Sequence, residues 1–295
     1  MDFLIQLLVS GVAVGGVYAL VGLGFVAIFK ATGILNFATG EFMMLGAYFA
    51  YTALVGLHLP FWAALALALA GAAAVALVVE RALLRPLFGQ PTITVVMVTL
   101  GLSSILKGLA QIVWTAEFRS FPRIFPRKPV LLGPAVVPSR LFYGFLIALV
   151  AVGLLAAFFR YARAGVAMRA TASDQGAAYG LGVDIRRMFG MAWGLGAAAA
   201  GLGGVVVGTI GGISPQLGAL GLKVFPVVIL GGLDSVAGAI VGGIVIGVLE
   251  NLAGGYLDPY VTGGSVKEVV PFLVLLLILL VRPYGLFGTR EIERV

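Results

Sequence analysis

The sequence predicts an all-α polytopic membrane protein with about seven full transmembrane helices plus a re-entrant helical hairpin, or eight spans. Hydrophobic residues make up 61% of the chain and charged residues only 11%, which leaves more apolar surface than a soluble core can bury. The apolar residues fall into runs of roughly 20, the length of helix that crosses ~30 Å of hydrocarbon. The 43 glycines suit close contact between helices in lipid. We therefore expect residues 1–295 to form a single transmembrane domain.

The first predicted span, Phe3–Phe29, has Gly11, Gly15 and Gly22 as small positions for helix contact, and Lys30 ends it. No basic segment precedes its apolar run, so we interpret it as a retained span and not as a cleaved signal peptide. The other full spans follow in order: Ala31–Leu57, Pro60–Val79, Thr92–Trp114, Leu141–Phe159, Met188–Ile213 and Ser265–Val281.

Two patterns within these spans predict local structure. Gly204, Gly208 and Gly212 are spaced four apart, which places them on one helix face and is typical of close helix packing. Ser265-Val266-Lys267-Glu268 matches a capping box, in which the serine side chain closes the first turn of the last span.

A segment between the sixth and the last span, Leu222–Asn251, is predicted to form the hairpin. Leu222–Leu230 has only nine residues, which is too short to cross a bilayer. Gly231-Gly232-Leu233-Asp234-Ser235 then interrupts the apolar run before Val236–Leu249 resumes it. We interpret this pattern as a half-helix, a tight bend and a return helix.

The distribution of basic residues favours that hairpin. An N-terminus outside and a hairpin that enters and leaves on the outer side place 11 basic residues inside and 7 outside, with Lys107 uncounted. A single full crossing would place 9 on each side. The positive-inside rule therefore predicts an outer N-terminus and an inner C-terminus. The proline-rich loop Thr115–Arg140 opposes this preference, because it is itself basic and lies outside.

The longest polar stretch inside the chain, residues 160–188, carries five arginines and two aspartates between apolar runs. Its glycines are expected to break it into short helical pieces. Met168, Ala172, Gln175 and Tyr179 fall three or four apart, as residues on one helix face do. The stretch is either a connecting loop whose arginines fix the topology or a cytoplasmic helix that docks against a partner.

The sequence offers little support for catalysis. It contains no G-x-x-x-x-G-K-[ST] loop for ATP and no H-E-x-x-H motif, and it has no cysteine. Its one histidine, His58, lies in a short loop, so a serine–histidine pair at matching depth is not expected. The net charge of +7 is explained by basic loops and does not indicate nucleic-acid binding. We expect a non-catalytic protein without a cofactor or metal.

Two carboxylates occur in apolar surroundings, Glu41 and Asp234. A charge at mid-membrane costs roughly 2.5–3.5 kcal/mol on insertion scales, so such residues usually face a cavity or a partner. Asp234 alternatively serves as an N-cap after its glycine pair, and Glu41 as a favourable charge in the first turn of a helix. Asn36, Thr39 and Glu41 share a glycine-broken segment, which favours a pathway lining.

Three stretches resemble one known family. Gly33-Ile34-Leu35-Asn36-Phe37-Ala38-Thr39-Gly40-Glu41-Phe42 resembles the Asn-Phe-Ala-His-Gly-Glu signature of the high-affinity branched-chain amino-acid ABC transporter permeases, H-type subunit. Arg169–Asp174 with Leu181-Gly182-Val183 resembles the cytoplasmic loop of that family, and Leu230–Gly238 resembles its late glycine-rich segment. The match runs in order over nearly the whole chain. Thr39 stands where histidine is usual, so any role of that imidazole is absent here.

The resemblance implies a translocation subunit of the bacterial or archaeal cell (inner) membrane. Such permeases work with a homologous second permease, two ABC ATPase subunits and an extracytoplasmic solute-binding protein, within membrane lipid. They carry branched-chain amino acids or related small polar solutes such as amides and urea. The pathway residues predicted from the sequence itself are Asn36, Thr39, Glu41 and Asp234. The implied coupling residues are Arg169, Asp174 and Gly182 within residues 160–188.

A protein of another class remains an alternative on the residues alone. A stand-alone ion-coupled secondary transporter or channel would use Glu41 or Asp234 as a proton or sodium site. Neighbouring genes for ATPases and a binding protein distinguish the two hypotheses.

Overall fold

The computed structural model describes residues 2–87, 90–133, 135–261 and 265–288. Pro134 of the proline-rich loop and Thr289, Arg290 and Arg294 of the tail lie outside the described residues. The described α-helices are α1 (Asp2–Thr32), α2 (Thr39–Tyr51), α3 (Phe61–Val79), α4 (Thr92–Trp114), α5 (Ser139–Tyr161), α6 (Arg163–Ser173), α7 (Gln175–Gly180), α8 (Ile185–Gly211), α9 (Val224–Gly231), α10 (Val236–Tyr256) and α11 (Val266–Val281). The shorter elements are π-helical turns at Thr52–Gly56 and Glu80–Leu84, 3-10 helices at Arg85–Leu87, Pro215–Lys223 and Asp258–Tyr260, and an antiparallel hairpin of β1 (Val130–Leu132) and β2 (Ala135–Val137).

This architecture confirms the predicted helical membrane protein. In the described part of the chain, six helices are long and apolar enough to cross a membrane: α1, α3 with its continuation, α4, α5, α8 and α10 with its continuation. Two of the predicted spans are shorter than expected. α2 starts only at Thr39 because residues 33–38 are not helical, whereas α11 begins at Val266, one residue after the predicted start, and has 16 residues. The prediction also missed that α10, the return limb of the hairpin, is itself of spanning length.

The bundle is built around α1, which is buried along most of its length. Gly11 meets Val248 of α10, whereas Gly22 meets Val227 of α9 and Ala239 near the start of α10, so α1 and α10 run antiparallel. A Cβ at Gly15 would also press on the α10 backbone. All three small positions predicted in the first span are therefore helix contacts. This is expected in lipid, where the hydrophobic effect does not drive helices together and close packing of their backbones stabilises the contact instead.

The glycine stripe of α8 is confirmed as a packing surface. Gly204 lies directly against the backbone of Met43 in α2, where a Cβ would overlap the carbonyl oxygen. Gly208 packs on the Phe121 ring of the outer loop. Gly212 ends the helix with φ +85°, a left-handed conformation that favours glycine. The stripe therefore holds α2 and the loop after α4 against α8.

The hairpin enters and leaves at the same end of the bundle, as predicted. Its descending limb consists of the 3-10 helix Pro215–Lys223 and α9, and its ascending limb is α10. The bend lies beside the last turn of α1, where Lys30 Nζ donates a hydrogen bond to the Asp234 carbonyl at 3.1 Å. The hairpin therefore reaches the opposite end of the bundle, because Val236–Tyr256 runs back along almost the whole of α1.

Two predicted helix caps are wrong. Ser235, and not Asp234, caps α10, since its hydroxyl accepts a hydrogen bond from the Gly238 N–H at 3.0 Å. The Ser265 hydroxyl makes no cap and instead donates to Asp258 Oδ2 at 2.8 Å. Asp258 Oδ1 accepts from the first amides of α11, at 2.6 Å from Val266 N. The carboxylate of Asp258, from the preceding turn, thus caps α11 in place of Ser265.

The two ends of the bundle have separate loops. The end that contains Lys30, which we name the inner end, also contains α6, α7, the hairpin bend and residues 282–288, whose amides bond to the carbonyls of Leu230 and Gly231. The opposite or outer end contains the start of α1, the loop 115–138 and Ile213, which forms a β-bridge with Arg119. The segments predicted to share a side of the membrane therefore share an end of the bundle, and the assignment of the Lys30 end to the cytoplasm stays a prediction.

Single cysteines test the sidedness without background, because the chain has none of its own. Ser120→Cys is expected to react with a membrane-impermeant maleimide on intact cells, whereas Ser173→Cys and Tyr284→Cys react only after permeabilisation. Ser120 and Ser173 are exposed and lie at opposite ends of the bundle. Labelling of Tyr284→Cys on intact cells would contradict the topology.

Candidate functional site

A break between α1 and α2 places polar residues inside the bundle. α1 ends at Thr32, and Gly33 follows with φ +70°, a left-handed conformation open to glycine. The next residues continue without helical hydrogen bonds until α2 begins at Thr39. Thr99 of α4 meets this non-helical backbone, because its hydroxyl accepts from Phe37 N at 3.4 Å and lies 3.3 Å from the Leu35 carbonyl. Part of the broken backbone is therefore satisfied by a neighbouring helix, as a non-helical segment in a membrane requires.

Asn36 is fully buried at this break. Its Oδ1 accepts a hydrogen bond from the Ala38 N–H at 3.0 Å, and its carbonyl accepts from the Thr39 hydroxyl at 2.8 Å. Its Nδ2 has no hydrogen-bond partner among the described residues. A buried donor left without a partner costs about 1–3 kcal/mol, so this amide is suited to a ligand that supplies an acceptor.

Glu41 lies in the first turn of α2, where a negative charge favours the helix dipole, and it is almost fully buried. The carboxylate interacts with the Ser103 hydroxyl and with the charge of Lys107, both on α4. On its other side it faces Gly218, where a Cβ would lie 3.2 Å from Glu41 Oε1. The carboxylate therefore sits between α4 and the 3-10 helix of the hairpin.

Three glycines bring the two irregular segments of the chain into backbone contact. A Cβ at Gly40 would overlap the Gly218 carbonyl oxygen, and a Cβ at Gly221 would overlap the Gly40 backbone. The start of α2 and the 3-10 helix Pro215–Lys223 thus meet without intervening side chains. Phe37 stacks on Phe225 of α9 at 4.6 Å between ring centroids, which adds an aromatic wall to this junction.

The structure brings together three of the four predicted pathway residues. Asn36, Thr39 and Glu41 are buried on consecutive turns at the junction. Asp234 instead lies in the hairpin bend at the inner end, beside Lys30, and is partly buried. Gly218 and Gly221 were missed, because nothing in their local sequence distinguishes them from the other glycines of the chain.

A buried ion pair was also missed. Lys223, at the end of the 3-10 helix, is 4% exposed and contacts Glu250 of α10, which is 1% exposed, at 2.7 Å. The Tyr18 hydroxyl donates to the other Glu250 oxygen at 2.7 Å, and Glu268 lies 3.0 Å from Lys223 Nζ. The sequence signal was available, since Glu250 is a third carboxylate within an apolar run. Lys223 was interpreted only as a loop charge.

The polar stretch 160–188 forms two short helices at the inner end. Met168 of α6 is buried against Ala27 and Ala31 of α1 and against α8, which fixes the stretch to the bundle. Asp174 caps α7, accepting a hydrogen bond from the Ala177 N–H at 2.9 Å, and Arg169 is exposed. Gly182 has φ +84°, a left-handed conformation that favours glycine.

The expected shared helix face of this stretch is wrong. The helix breaks at Asp174, so Met168 and Ala172 belong to α6 while Gln175 and Tyr179 belong to α7. Met168 is buried, whereas Tyr179 is 74% exposed. Leu181, which follows α7, is 84% exposed. The stretch thus docks on the bundle through buried side chains that include Met168, and it presents the apolar side chains of Tyr179 and Leu181 at the inner end.

No group of three histidine or acidic side chains that could hold a metal ion occurs within the described ranges. The polar groups at the junction between α2 and the 3-10 helix are amides, hydroxyls, a carboxylate and an ammonium, which are groups that form hydrogen bonds and ion pairs.

Comparisons with known proteins identify a family to which the chain is similar. The model of a family described as "Branched-chain amino acid transport system / permease component" matches residues 7–279. The chain is 30% identical over 307 residues to the high-affinity branched-chain amino acid transport system permease protein LivH of Salmonella typhimurium, and the match covers 99% of this chain and 98% of that protein. LivH of Escherichia coli gives the same identity and coverage. BraD of Pseudomonas aeruginosa is 31% identical over 305 residues, with 99% and 98% covered.

Proposed function

Because the chain belongs to the family of permease components of branched-chain amino acid transport systems, we propose that it forms the solute pathway of an ABC importer for branched-chain amino acids. It is a multi-pass protein of the cell's inner membrane. The observation that carries the proposal is the meeting of two irregular segments, residues 33–38 and 215–223, inside the bundle. Broken helices occur at membrane depth where they line a cavity or are buried in protein, and transporters bind solutes there.

The chemistry of the junction suits a zwitterion with an apolar side chain. Asn36 offers an unpartnered N–H to a carboxylate, and Glu41 offers a negative charge to an ammonium group. The stacked Phe37 and Phe225 rings, with Phe25 at 5.2 Å from Phe225, provide an apolar wall for a branched side chain. A wall with few polar groups holds the solute weakly, as a pathway that releases its cargo requires.

The energy source in this proposal lies in partner subunits. The chain has no phosphate-binding loop of the G-x-x-x-x-G-K-[ST] type, so two separate ABC ATPases supply ATP hydrolysis. Residues 160–188 transmit their motion, with Arg169, Asp174 and Gly182 in the contacting region. A homologous second permease completes the pathway, and an extracytoplasmic binding protein delivers the solute at the outer end.

Co-purification of the operon products tests the proposal. The chain is expected to copurify with a second permease and ATPase subunits, and the binding protein of the operon is expected to bind leucine, isoleucine or valine. Purified alone, the chain is expected to hydrolyse no ATP. Solute transport by the isolated chain, driven by a proton or sodium gradient, would instead support the stand-alone transporter.

Glu41→Gln and Asn36→Ala distinguish a pathway role from mere bracing of the broken helix. In a pathway, loss of a charge-assisted hydrogen bond is expected to change the transport rate or half-saturating solute concentration about tenfold, while assembly and basal ATPase activity remain. Glu117→Gln, which removes an exposed carboxylate of the outer loop, is the matched control. Transport per assembled complex is the measurement. A loss of assembly in proportion to transport would show that both residues only brace the break.

Gly182→Val is expected to reduce ATP-driven transport about tenfold while the membrane domain still folds. Valine resists the left-handed backbone at this position, where strain of about 1–3 kcal/mol shifts the loop after α7. Gly180→Val is the control, since that glycine lacks a positive φ and, like Gly182, has no atom within 4 Å of an added Cβ. Asp174→Lys, which removes the cap of α7, is expected to act like Gly182→Val. Unchanged transport in both variants would reduce residues 160–188 to a tether.

A further inference from the structure

Three buried side-chain groups lack a hydrogen-bond partner among the described residues, and all three lie along α2. Asn36 Nδ2 precedes its first turn, whereas the Tyr48 hydroxyl and Arg119 Nε lie at its outer end. Each such group costs about 1–3 kcal/mol unless a partner is supplied. The outer pair has no role in the junction described above, so it calls for a separate explanation.

The outer pair belongs to an aromatic cluster between α2 and the loop after α4. Tyr48 stacks on Trp114 at 5.1 Å, and the Trp114 indole donates to the Thr52 hydroxyl at 2.8 Å. The Arg119 guanidinium lies 5.4 Å from the centroid of the Tyr51 ring, and Tyr51 follows Tyr48 by about one turn of α2. The cluster thus places one fixed positive charge and one phenol hydroxyl against an apolar wall.

Arg119 is held in place but not neutralised. Its Nη2 donates to the Trp114 carbonyl at 2.8 Å, and its backbone exchanges two hydrogen bonds with Ile213, of 2.9 and 2.7 Å. None of the ion pairs found in the described part of the chain includes Arg119. Its Nε–H therefore remains for an acceptor, and a guanidinium prefers a carboxylate, to which it can present two parallel N–H groups.

We propose that Arg119 and Tyr48 form a carboxylate-binding site at the outer end of α2, which receives the α-carboxylate of the incoming amino acid. The site rests on the proposed import function and precedes the Asn36 junction along the same helix. Arg119 supplies the charge and Nε–H, and Tyr48 donates its hydroxyl to the second carboxylate oxygen. The rings of Phe49 and Phe121, which contact Trp114 and Tyr51, face the branched side chain.

In this proposal the loop after α4 separates from α2 to give the solute access to Tyr48, and it does so at the contact between Arg119 and Ile213. The only β-bridge found outside β1 and β2 in the described residues joins Arg119 to Ile213. Thr115 at the start of this loop has φ +66°, a conformation that costs a non-glycine residue energy. Gly212, just before Ile213, is also left-handed. The bridge is therefore short and flanked by residues of positive φ, and the proposal places the opening of the site there.

The test compares leucine with leucinamide, which has the same side chain and ammonium group but no carboxylate. Direct binding of each compound is measured on the purified permease–ATPase complex in nanodiscs, without the binding protein. Arg119→Gln is expected to weaken leucine binding about tenfold or more and to leave the weaker leucinamide binding unchanged. Tyr48→Phe is expected to weaken leucine binding about threefold, and Arg119→Lys to retain part of it.

Arg123→Gln, which removes an exposed arginine from the same loop, is expected to change nothing. Only variants that copurify with the ATPase subunits are compared. Equal losses for leucine and leucinamide would overturn the site, as would wild-type leucine binding in Arg119→Gln. If that variant instead weakened only the docking of the binding protein, the carboxylate would belong to an acidic side chain of that protein, and the proposal would be wrong. If the wild-type complex imports leucine but does not bind it in the absence of the binding protein, the Arg119 site is wrong and the import function stands. If the wild-type complex imports no branched-chain amino acid, the import function itself is wrong.

Discussion

Lys223→Met is expected to destabilise the folded chain by about 3–5 kcal/mol, because it leaves a carboxylate buried without its counter-charge. Glu250 is 1% exposed and is paired with Lys223 at 2.7 Å, and the Tyr18 hydroxyl alone cannot balance its charge. The loss is expected as a lower midpoint of unfolding for the purified chain in detergent. Since Lys223 joins the 3-10 helix to α9, the same substitution also loosens the segment that contacts Gly40.

The double variant Lys223→Met/Glu250→Gln shows how much of the lost stability comes from the unpaired charge and how much from changed packing. Removal of both charges is expected to restore most of the stability, as replacement of a buried ion pair by uncharged groups often does. Glu268→Gln is the control for the exposed end of the network, since Glu268 is 62% exposed and its pairing is worth about 1 kcal/mol or less. A double variant as unstable as Lys223→Met would contradict the ion-pair account.

Gly204→Ala is expected to prevent the close contact of α8 with α2, with a loss of stability of about 3 kcal/mol or more. An added Cβ would overlap the Met43 carbonyl oxygen, which belongs to backbone and cannot rotate away. The expected result is a small yield of folded chain and little assembly with partner subunits. Gly40→Ala is expected to behave in the same way, because its Cβ would overlap the Gly218 carbonyl oxygen.

Gly211→Ala on the same helix is the matched control. No atom lies within 4 Å of an added Cβ there, so the substitution is expected to be neutral or to stabilise α8 by up to ~1 kcal/mol through helix propensity. Folded yield and thermal midpoint, measured side by side for the two alanine variants, check the difference. Equal behaviour of Gly204→Ala and Gly211→Ala would show that α2 and α8 do not meet as described.

The properties predicted correctly from the sequence are those that depend on local pattern. Apolar runs located the main helices, and the spacing of Gly204, Gly208 and Gly212 identified a packing face before its partners were known. The family was also identified, because its motifs occur in order along the chain and the comparisons confirm it.

The properties missed depend on which distant segments meet. The pairing of Lys223 with Glu250 requires that the hairpin fold back along α1, which no local pattern encodes. The cap of α11 comes from Asp258, a residue of the preceding turn, and so overrides the nearby Ser265. Asp234 and Glu41 looked alike as carboxylates in apolar surroundings, yet one lies at the inner end and the other at the junction.

The dependence on contacts between distant segments also explains why Asn36, at the start of α2, was predicted and Arg119, at its outer end, was not. Asn36 was predicted as a pathway residue because it shares a glycine-broken segment with Thr39 and Glu41, whereas Arg119 was counted only among the basic residues of the outer loop. Its contact with Tyr51 and Trp114 depends on the bridge to Ile213, almost 100 residues later in the chain. Whether an arginine is held in place or solvated therefore depends on its tertiary contacts and not on the composition of its loop.

Uptake of labelled leucine into sealed vesicles tests the central claim most directly. The vesicles contain this chain, the second permease and the ATPase subunits, with ATP enclosed and the binding protein outside. The account predicts uptake that requires ATP and the binding protein and that disappears when this chain is omitted. Leucine uptake by vesicles that contain this chain alone, driven by a proton or sodium gradient in the absence of ATP, would contradict it.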